Sequence, residues 1–304
     1  MQNDLKKLAA EKAVEEIHSG MLVGLGTGST VQFALEKIAL KIKNGELENI
    51  YCVPSSVRTE TEARRFGIPL ITFEEIAKRK MKYDEGGNKI INDKLKIKKV
   101  NSEKNTSDPL ASNLSPLTQN RLPSPVSRFP FIDLTIDGSD EFAVGDPEPT
   151  EGAKRIDLIK GGGGALLREK ILAQSSRRFV VIIDESKLSD HLGEKWAVPV
   201  EVIKFSSSIE EEYLKSLGAR VSRRKNSDGT DYITDEGNYI IDANFGIMKD
   251  PSMIADILDK RAGIVEHGIF IGLASEGICA FKNGEIRIIS SNESLDPPGR
   301  TRDK

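Results

Sequence analysis

Leu5, Leu8, Ala9, Ala13 and Ile17 fall at helical spacing, which predicts an amphipathic helix over residues 5–18. A short apolar run at 21–25 reads as a strand, broken by the glycines of GLGTGST. Val31, Ala34, Leu35, Ile38 and Ile42 form one stripe and predict a second helix. Strand, helix and strand are expected again at 50–53, 55–66 and 68–72. Strands alternating with helices at this pitch point to βαβ units around a parallel sheet. The same rhythm returns later, with strands at 131–137, 156–160 and 179–184 and a helix at 164–173.

Past Trp196 the texture changes. Strands are expected at 198–203, 220–223, 231–234 and 239–243, with helices at 207–217 and 251–260 and a strand at 264–270. Turn pairs Asp228-Gly229 and Glu236-Gly237 join the short strands as an antiparallel meander, a small α+β unit. Two last strands, 277–281 and 286–289, flank the hairpin signal Asn283-Gly284, and a polar tail begins at Ser290.

Between the two αβ stretches the pattern fails, from Lys78 to Pro130. Five of the chain's 13 prolines and a local charge of +7 fall here, so a disordered insertion is expected. A solvated loop is favoured over a basic arm for an acidic partner. The whole chain, 304 residues with net charge −3, argues against nucleic acid as the main partner. No apolar run approaches a membrane span, and the charged amphipathic start is unlike an export signal. Cys52 and Cys279 are far apart in apolar stretches, as expected of buried, reduced thiols. A cytoplasmic, globular protein is the expectation.

Three segments carry chemistry. Gly24-Leu25-Gly26-Thr27-Gly28-Ser29-Thr30 joins a strand to a helix, where backbone N–H groups form an anion site. It departs from a dinucleotide fingerprint, with Ser29 at a glycine position and no acid closing the second strand. Read alone, it is as well a glycine turn with a Ser/Thr helix cap. Asp137-Gly138-Ser139-Asp140-Glu141 ends a strand and sets three carboxylates where open α/β sheets hold ligands. Carboxylates suit sugar hydroxyls, but an acidic turn competes, and His18, His191 and His267 fall in no metal-ligand spacing. In Lys160-Gly161-Gly162-Gly163-Gly164-Ala165-Leu166-Leu167-Arg168-Glu169-Lys170 an apolar strand passes through four glycines into an apolar helix. Ala165, Leu166, Leu172 and Ala173 lie within about 60° of Glu169 on the wheel, making it a lone carboxylate on an apolar face. Such a group is either a base with a raised pKa or one paired with a neighbouring Arg or Lys. Lys187, just past a strand end, can reach the same crevice or lie in solvent.

In this order GLGTGST, DLTIDGSDE, LIKGGGGALLREK and IIDESK resemble type A ribose-5-phosphate isomerases over nearly the whole chain. The resemblance implies a Rossmann-like α/β parallel-sheet domain, 1–192 plus 264–304, interrupted by a smaller α+β (ferredoxin-like) domain, 193–263. It implies a homodimer or homotetramer that acts on a sugar phosphate with no metal or cofactor. By the same resemblance Thr27, Gly28, Ser29 and Thr30 hold the phosphate, with Lys187 as cationic partner and Lys6 also facing it. Asp137, Gly138, Ser139 and Asp140 hold the reactive end of the sugar, and Asp137 opens the furanose ring. Lys160, Gly161, Gly162 and Gly163 stabilise the enediolate oxygen, and Glu169 is the base. Ser139 stands where the family usually has alanine, which is expected to add a hydroxyl near the sugar.

Overall fold

A computed structural model describes residues 2–78, 82–83, 89–90, 131–145 and 155–290. The chain runs through α1 (Gln2–Val14), β1 (Leu22–Leu25), α2 (Ser29–Lys43), β2 (Tyr51–Pro54), α3 (Val57–Arg65) and α4 (Phe73–Lys78). The two-residue strands β3 (Lys82–Tyr83) and β4 (Lys89–Ile90) pair antiparallel. Next come β5 (Ile132–Gly138), β6 (Glu141–Gly145), β7 (Arg155–Ile159), α5 (Leu166–Gln174) and β8 (Ser176–Asp184). Then follow β9 (Val198–Val202), α6 (Ser207–Ser216), β10 (Arg220–Arg223), β11 (Tyr239–Asn244) and α7 (Pro251–Asp259). The last strands are β12 (Ile264–His267), β13 (Ile269–Ile271), β14 (Glu276–Ala280) and β15 (Ile286–Ser290). The rest of the expected insertion at 78–130 lies outside the described residues, as does the tail beyond Ser290.

Six strands form the main sheet in the order β15-β14-β8-β5-β1-β2, parallel except for the β14–β15 hairpin. Its central strands are apolar on both faces, as a covered parallel sheet requires. Along β8, Val180 and Ile182 pack with α1 and α2, while Phe179, Val181 and Ile183 join a second cluster with Phe142 and Phe270. That two-residue alternation places one strand in two cores at once. Each large apolar side chain so buried contributes about 1.5–3 kcal/mol, enough to make this sheet a rigid platform. Cys52 and Cys279 are both free and buried, and burial pushes each thiol up to about 12.

Four expectations need correcting. The apolar run at 156–160 fits the parallel rhythm in sequence, but β7 lies in a separate antiparallel sheet, β13-β7-β6. Its partner β6 follows directly on the acidic turn, with only Phe142, Ala143 and Val144 as an apolar run. The strand expected at 264–270 divides at Gly268, β12 joining the antiparallel sheet β10-β11-β9-β12 and β13 joining β7. A Cβ at Gly268 would lie 2.2 Å from the Lys160 carbonyl oxygen, so only glycine lets the chain cross between the sheets there. Residues 68–72 and 231–234 make isolated bridges rather than strands. The turns at Gly229 and Gly237 close as expected, their N–H groups donating to the Asn226 and Thr234 carbonyls at 2.9 Å.

Candidate active site

Strands β1 and β5 are neighbours in the main sheet, yet the chain leaves β1 toward β2, on the side away from β5. Such a reversal opens a crevice at the C-terminal ends of the strands. A cavity of about 110 Å³ lies there, lined by Lys6, residues 27–30, 138–140 and 160–163, Glu169 and Lys187. Of the site residues singled out in the sequence, Asp137 alone is absent from that wall, being fully buried directly behind Gly138. A larger cavity, about 520 Å³, lies on the other side of α5 between Val53, Phe73, Arg168 and Ile171. It holds none of those residues, all of which except Asp137 line the smaller one.

At one end of the crevice α2 begins after Gly28 with no side-chain cap. The capped-turn alternative therefore does not apply, and the first N–H groups of the helix remain available to an anion. Lys6 donates to Ser29 Oγ at 3.0 Å, which places Lys6 rather than its neighbour Lys7 at this end. Lys187 arrives from a 3-10 turn, Glu185–Lys187, with its ammonium 5.1 Å from the centre of the Trp196 ring. Thr27 differs from expectation, because its hydroxyl is 2.8 Å from both Ser55 Oγ and Ser56 Oγ and 3.1 Å from Thr59 Oγ1. Thr59 in turn donates to the Gly26 carbonyl at 2.9 Å. These three hydroxyl residues fasten the loop from below. In sequence, Pro54-Ser55-Ser56 stands out only for lacking an acid.

At the other end the buried acids converge. Asp137 Oδ1 accepts the N–H groups of Thr27 at 3.1 Å and Gly138 at 2.7 Å, so β5 is tied to the loop after β1. Gly26 makes this approach possible, since a Cβ there would stand 2.1 Å from the Asp137 carboxyl carbon. Lys160 follows β7, and its ammonium lies 2.9 Å from Asp137 Oδ2 and 3.3 Å from Glu169 Oε2. It also donates to the Gly138 carbonyl at 2.6 Å. Asp140 accepts the Gly162 N–H at 2.6 Å, and the Gly164 N–H returns to the Gly161 carbonyl at 2.9 Å. Two of the loop's N–H groups are thus used internally. Those of Gly161 and Gly163 have no acceptor among the described residues.

Two side chains are tied to the protein. Ser139, on the cavity wall, donates to the carbonyls of Glu141 at 2.5 Å and Ile159 at 3.0 Å, which leaves its oxygen only as an acceptor. Glu141 turns away and accepts the N–H groups of Gly193, Glu194 and Lys195, at 2.9, 3.1 and 3.1 Å. The third carboxylate of the acidic cluster is a loop anchor.

Glu169 is 3% exposed and Lys160 2% exposed, so both charges are out of water. Burial, reinforced by Asp137, pushes the Glu169 carboxyl up to about 8, against the pull of Lys160. Burial also raises Asp137, opposed by Lys160. For Lys160 burial works against the charge, but Asp137 and Glu169 together outweigh it and hold the ammonium above its usual range. Two acids share one cation, and a carboxyl near neutrality faces the cavity. That is the equipment for moving a proton at a carbon beside a carbonyl.

The family model for ribose 5-phosphate isomerase A (phosphoriboisomerase A) matches residues 116–284. Ribose-5-phosphate isomerase A of Desulfatibacillum aliphaticivorans is 42% identical over 283 residues, 93% of this chain and 96% of that one. Among solved structures, ribose 5-phosphate isomerase from Plasmodium falciparum has a TM-score of 0.71 at 32% identity, over 95% of this chain and 98% of that one. A D-ribose-5-phosphate isomerase in complex with phospho-erythronic acid has the same TM-score, 0.71, at 28% identity, over 95% and 99% of the two chains. Sequence likeness along nearly the full length and a shared fold agree with the crevice just described: the chain belongs to the ribose-5-phosphate isomerase A family.

Proposed function

We propose that this crevice interconverts D-ribose 5-phosphate and D-ribulose 5-phosphate through an enediolate, with Glu169 as the one base serving both carbons. The phosphate lies at the N-terminus of α2 between Lys6 and Lys187, and this remote binding holds C1 and C2 in place. Asp137, paired with Lys160, assists opening of the furanose ring. Glu169 takes the C2 proton, the C–H electrons enter the C1–C2 bond, and negative charge collects on the former carbonyl oxygen. Lys160 and the Gly163 N–H are the donors placed for that charge. The C2 hydroxyl proton then passes to O1, and Glu169 returns its proton to C1, leaving the ketone at C2.

The observation that carries this reading is a carboxyl buried to 3% exposure that nonetheless forms part of the cavity wall shared with residues 27–30. Glu169→Gln tests it: kcat should fall about a hundred- to ten-thousand-fold with little change in KM. Near-normal turnover would remove Glu169 from the base role. Phospho-erythronate has a phosphate at one end and a planar carboxylate at the other, so it should compete with ribose 5-phosphate here. The proposal extends to a homodimer or homotetramer in the cytosol, built from a catalytic unit of 1–192 plus 264–304 and an inserted unit of 193–263, which β12 lengthens to His267 by pairing with β9. Sedimentation and limited proteolysis check assembly and division. Among the described residues no helix is long and apolar enough to cross a membrane.

A further inference from the structure

The glycine loop that faces the reactive end of the crevice is held from behind by side chains of residues 193–263. Arg224, just after β10, donates through Nη1 to the Gly161 carbonyl at 2.9 Å and to the Gly162 carbonyl at 3.1 Å. Tyr232 donates through its hydroxyl to the Gly163 carbonyl at 3.2 Å. Three successive carbonyls are thereby fixed on one side of the loop. Every peptide bond among the described residues is trans, so each N–H that follows points opposite to its carbonyl. The Gly162 N–H meets Asp140 and the Gly164 N–H folds back on Gly161. The Gly163 N–H, on the same peptide as the Gly162 carbonyl that Arg224 grips, has no acceptor among the described residues, and Gly163 lines the cavity. The guanidinium is itself fixed, with Nε donating to Asp242 Oδ2 at 3.0 Å and Nη2 to Asp242 Oδ1. Asp242 belongs to β11, so the fork is mounted on a paired strand. Arg224 does not line the cavity.

We propose that Arg224, buttressed by Asp242, is a positioning residue that aims the Gly163 N–H at the oxyanion of the enediolate. This rests on the function proposed above, and it assigns to the smaller sheet a part in catalysis rather than in packing alone. A planar fork is needed, because a lysine at 224 has no second arm with which to hold both Asp242 and two carbonyls.

Arg224→Met is compared with the unaltered protein for kcat, KM, and inhibition by phospho-erythronate and by inorganic phosphate. A misaimed donor should lower kcat about ten- to a hundredfold and weaken phospho-erythronate at least fivefold. KM and inhibition by inorganic phosphate should stay within about threefold, since the phosphate end is untouched. Arg224→Lys should recover only part of the loss. Unchanged kcat and phospho-erythronate inhibition in folded Arg224→Met overturn the inference, and so does an equal loss of both inhibitors, which would mean general collapse of the site. If Arg224→Met does not fold, Asp242→Asn takes its place with the same two inhibitors: selective weakening of phospho-erythronate supports the inference, and no change or an equal loss of both overturns it. Failure of the unaltered protein to form ketose would instead overturn the proposed function.

Discussion

Adjacent residues of α5, Glu169 and Lys170, enter two buried ionic clusters that are built differently. On the Lys170 side the partners are complete. Its ammonium meets Glu266 and donates to the His267 carbonyl at 2.7 Å. His267 Nε2 is 2.9 Å from Asp259 Oδ1, and its Nδ1 accepts the Ile269 N–H at 3.2 Å. Burial still pulls Lys170 below the usual lysine range, but Glu266 opposes it. Asp259, Glu266 and His267 bring possible ligand atoms within 4.8 Å of one another, yet each is already engaged in this network. On the Glu169 side two acids divide one ammonium, and Asp137 Oδ2 and Glu169 Oε2 receive no well-aligned hydrogen bond. A closed network holds the helix in place. An under-paired one stores electrostatic cost beside the cavity, where substrate can relieve it.

The sharpest way to break this contrast is to neutralise each residue separately. Glu169→Gln should bring the large loss of kcat given above while the folded state keeps or gains stability, because it removes a buried acid that burial and Asp137 both disfavour as a charge. Lys170→Met should do the reverse. It leaves Glu266, which is 16% exposed, without its cation and should cost about 3 kcal/mol, read as a fall in Tm of roughly 5–10 °C. Its kcat at a temperature where it is folded should stay within about threefold. If Lys170→Met loses activity as deeply as Glu169→Gln without losing stability, the two clusters are one.

A pH series comes next in size. A base must be ionised, so kcat/KM should rise from pH 6 and level off above about 8, where Glu169 titrates. Stability should move the other way. With a folded value raised from 4.5 to about 8, the protein keeps this contribution below about pH 4.5 and loses it progressively as pH climbs to about 8. Glu169→Gln should lack that decline in Tm between pH 5 and 8.5. A flat rate profile from pH 6 to 9 would show that the acid on the cavity wall is not the titrating base.

The two clusters are also unequally legible in the sequence. Glu169, Lys160 and Asp137 sit in or beside glycine-rich turns at strand ends, where local turn chemistry and a lone acid on an apolar face mark the site. Partners that arrive through tertiary packing leave no such mark. Arg224 lies in the polar run Arg223-Arg224-Lys225, where nothing local says which side chain turns inward. Ser139 reads as an added hydroxyl near the sugar, and the two carbonyls of β6 and β7 that take its proton are brought to it only by tertiary packing. Strand direction is likewise hidden. Ile156, Leu158 and Ile159 are buried in β7 and would read the same whether its neighbours ran parallel or antiparallel, and the break at Gly268 depends on how close the Lys160 carbonyl comes.

The smallest expected effect lies at the rim of the closed cluster. Asp259 has a side chain 64% exposed, and its carboxylate meets His267 Nε2 at 2.9 Å. The hydrogen bond from His267 holds its carboxyl below the usual aspartate range, against partial burial. Its contribution is therefore present above about pH 4 and is lost as acid protonates it. Solvent screening at so exposed a group keeps that contribution small. Asp259→Asn preserves an acceptor for the His267 N–H and should change stability at pH 7 by less than about 1 kcal/mol, with kcat unaltered. The informative comparison is with Lys170→Met under the same conditions. If Asp259→Asn costs as much, the network is held from its exposed edge, and Lys170 is not the member on which the helix carrying Glu169 depends.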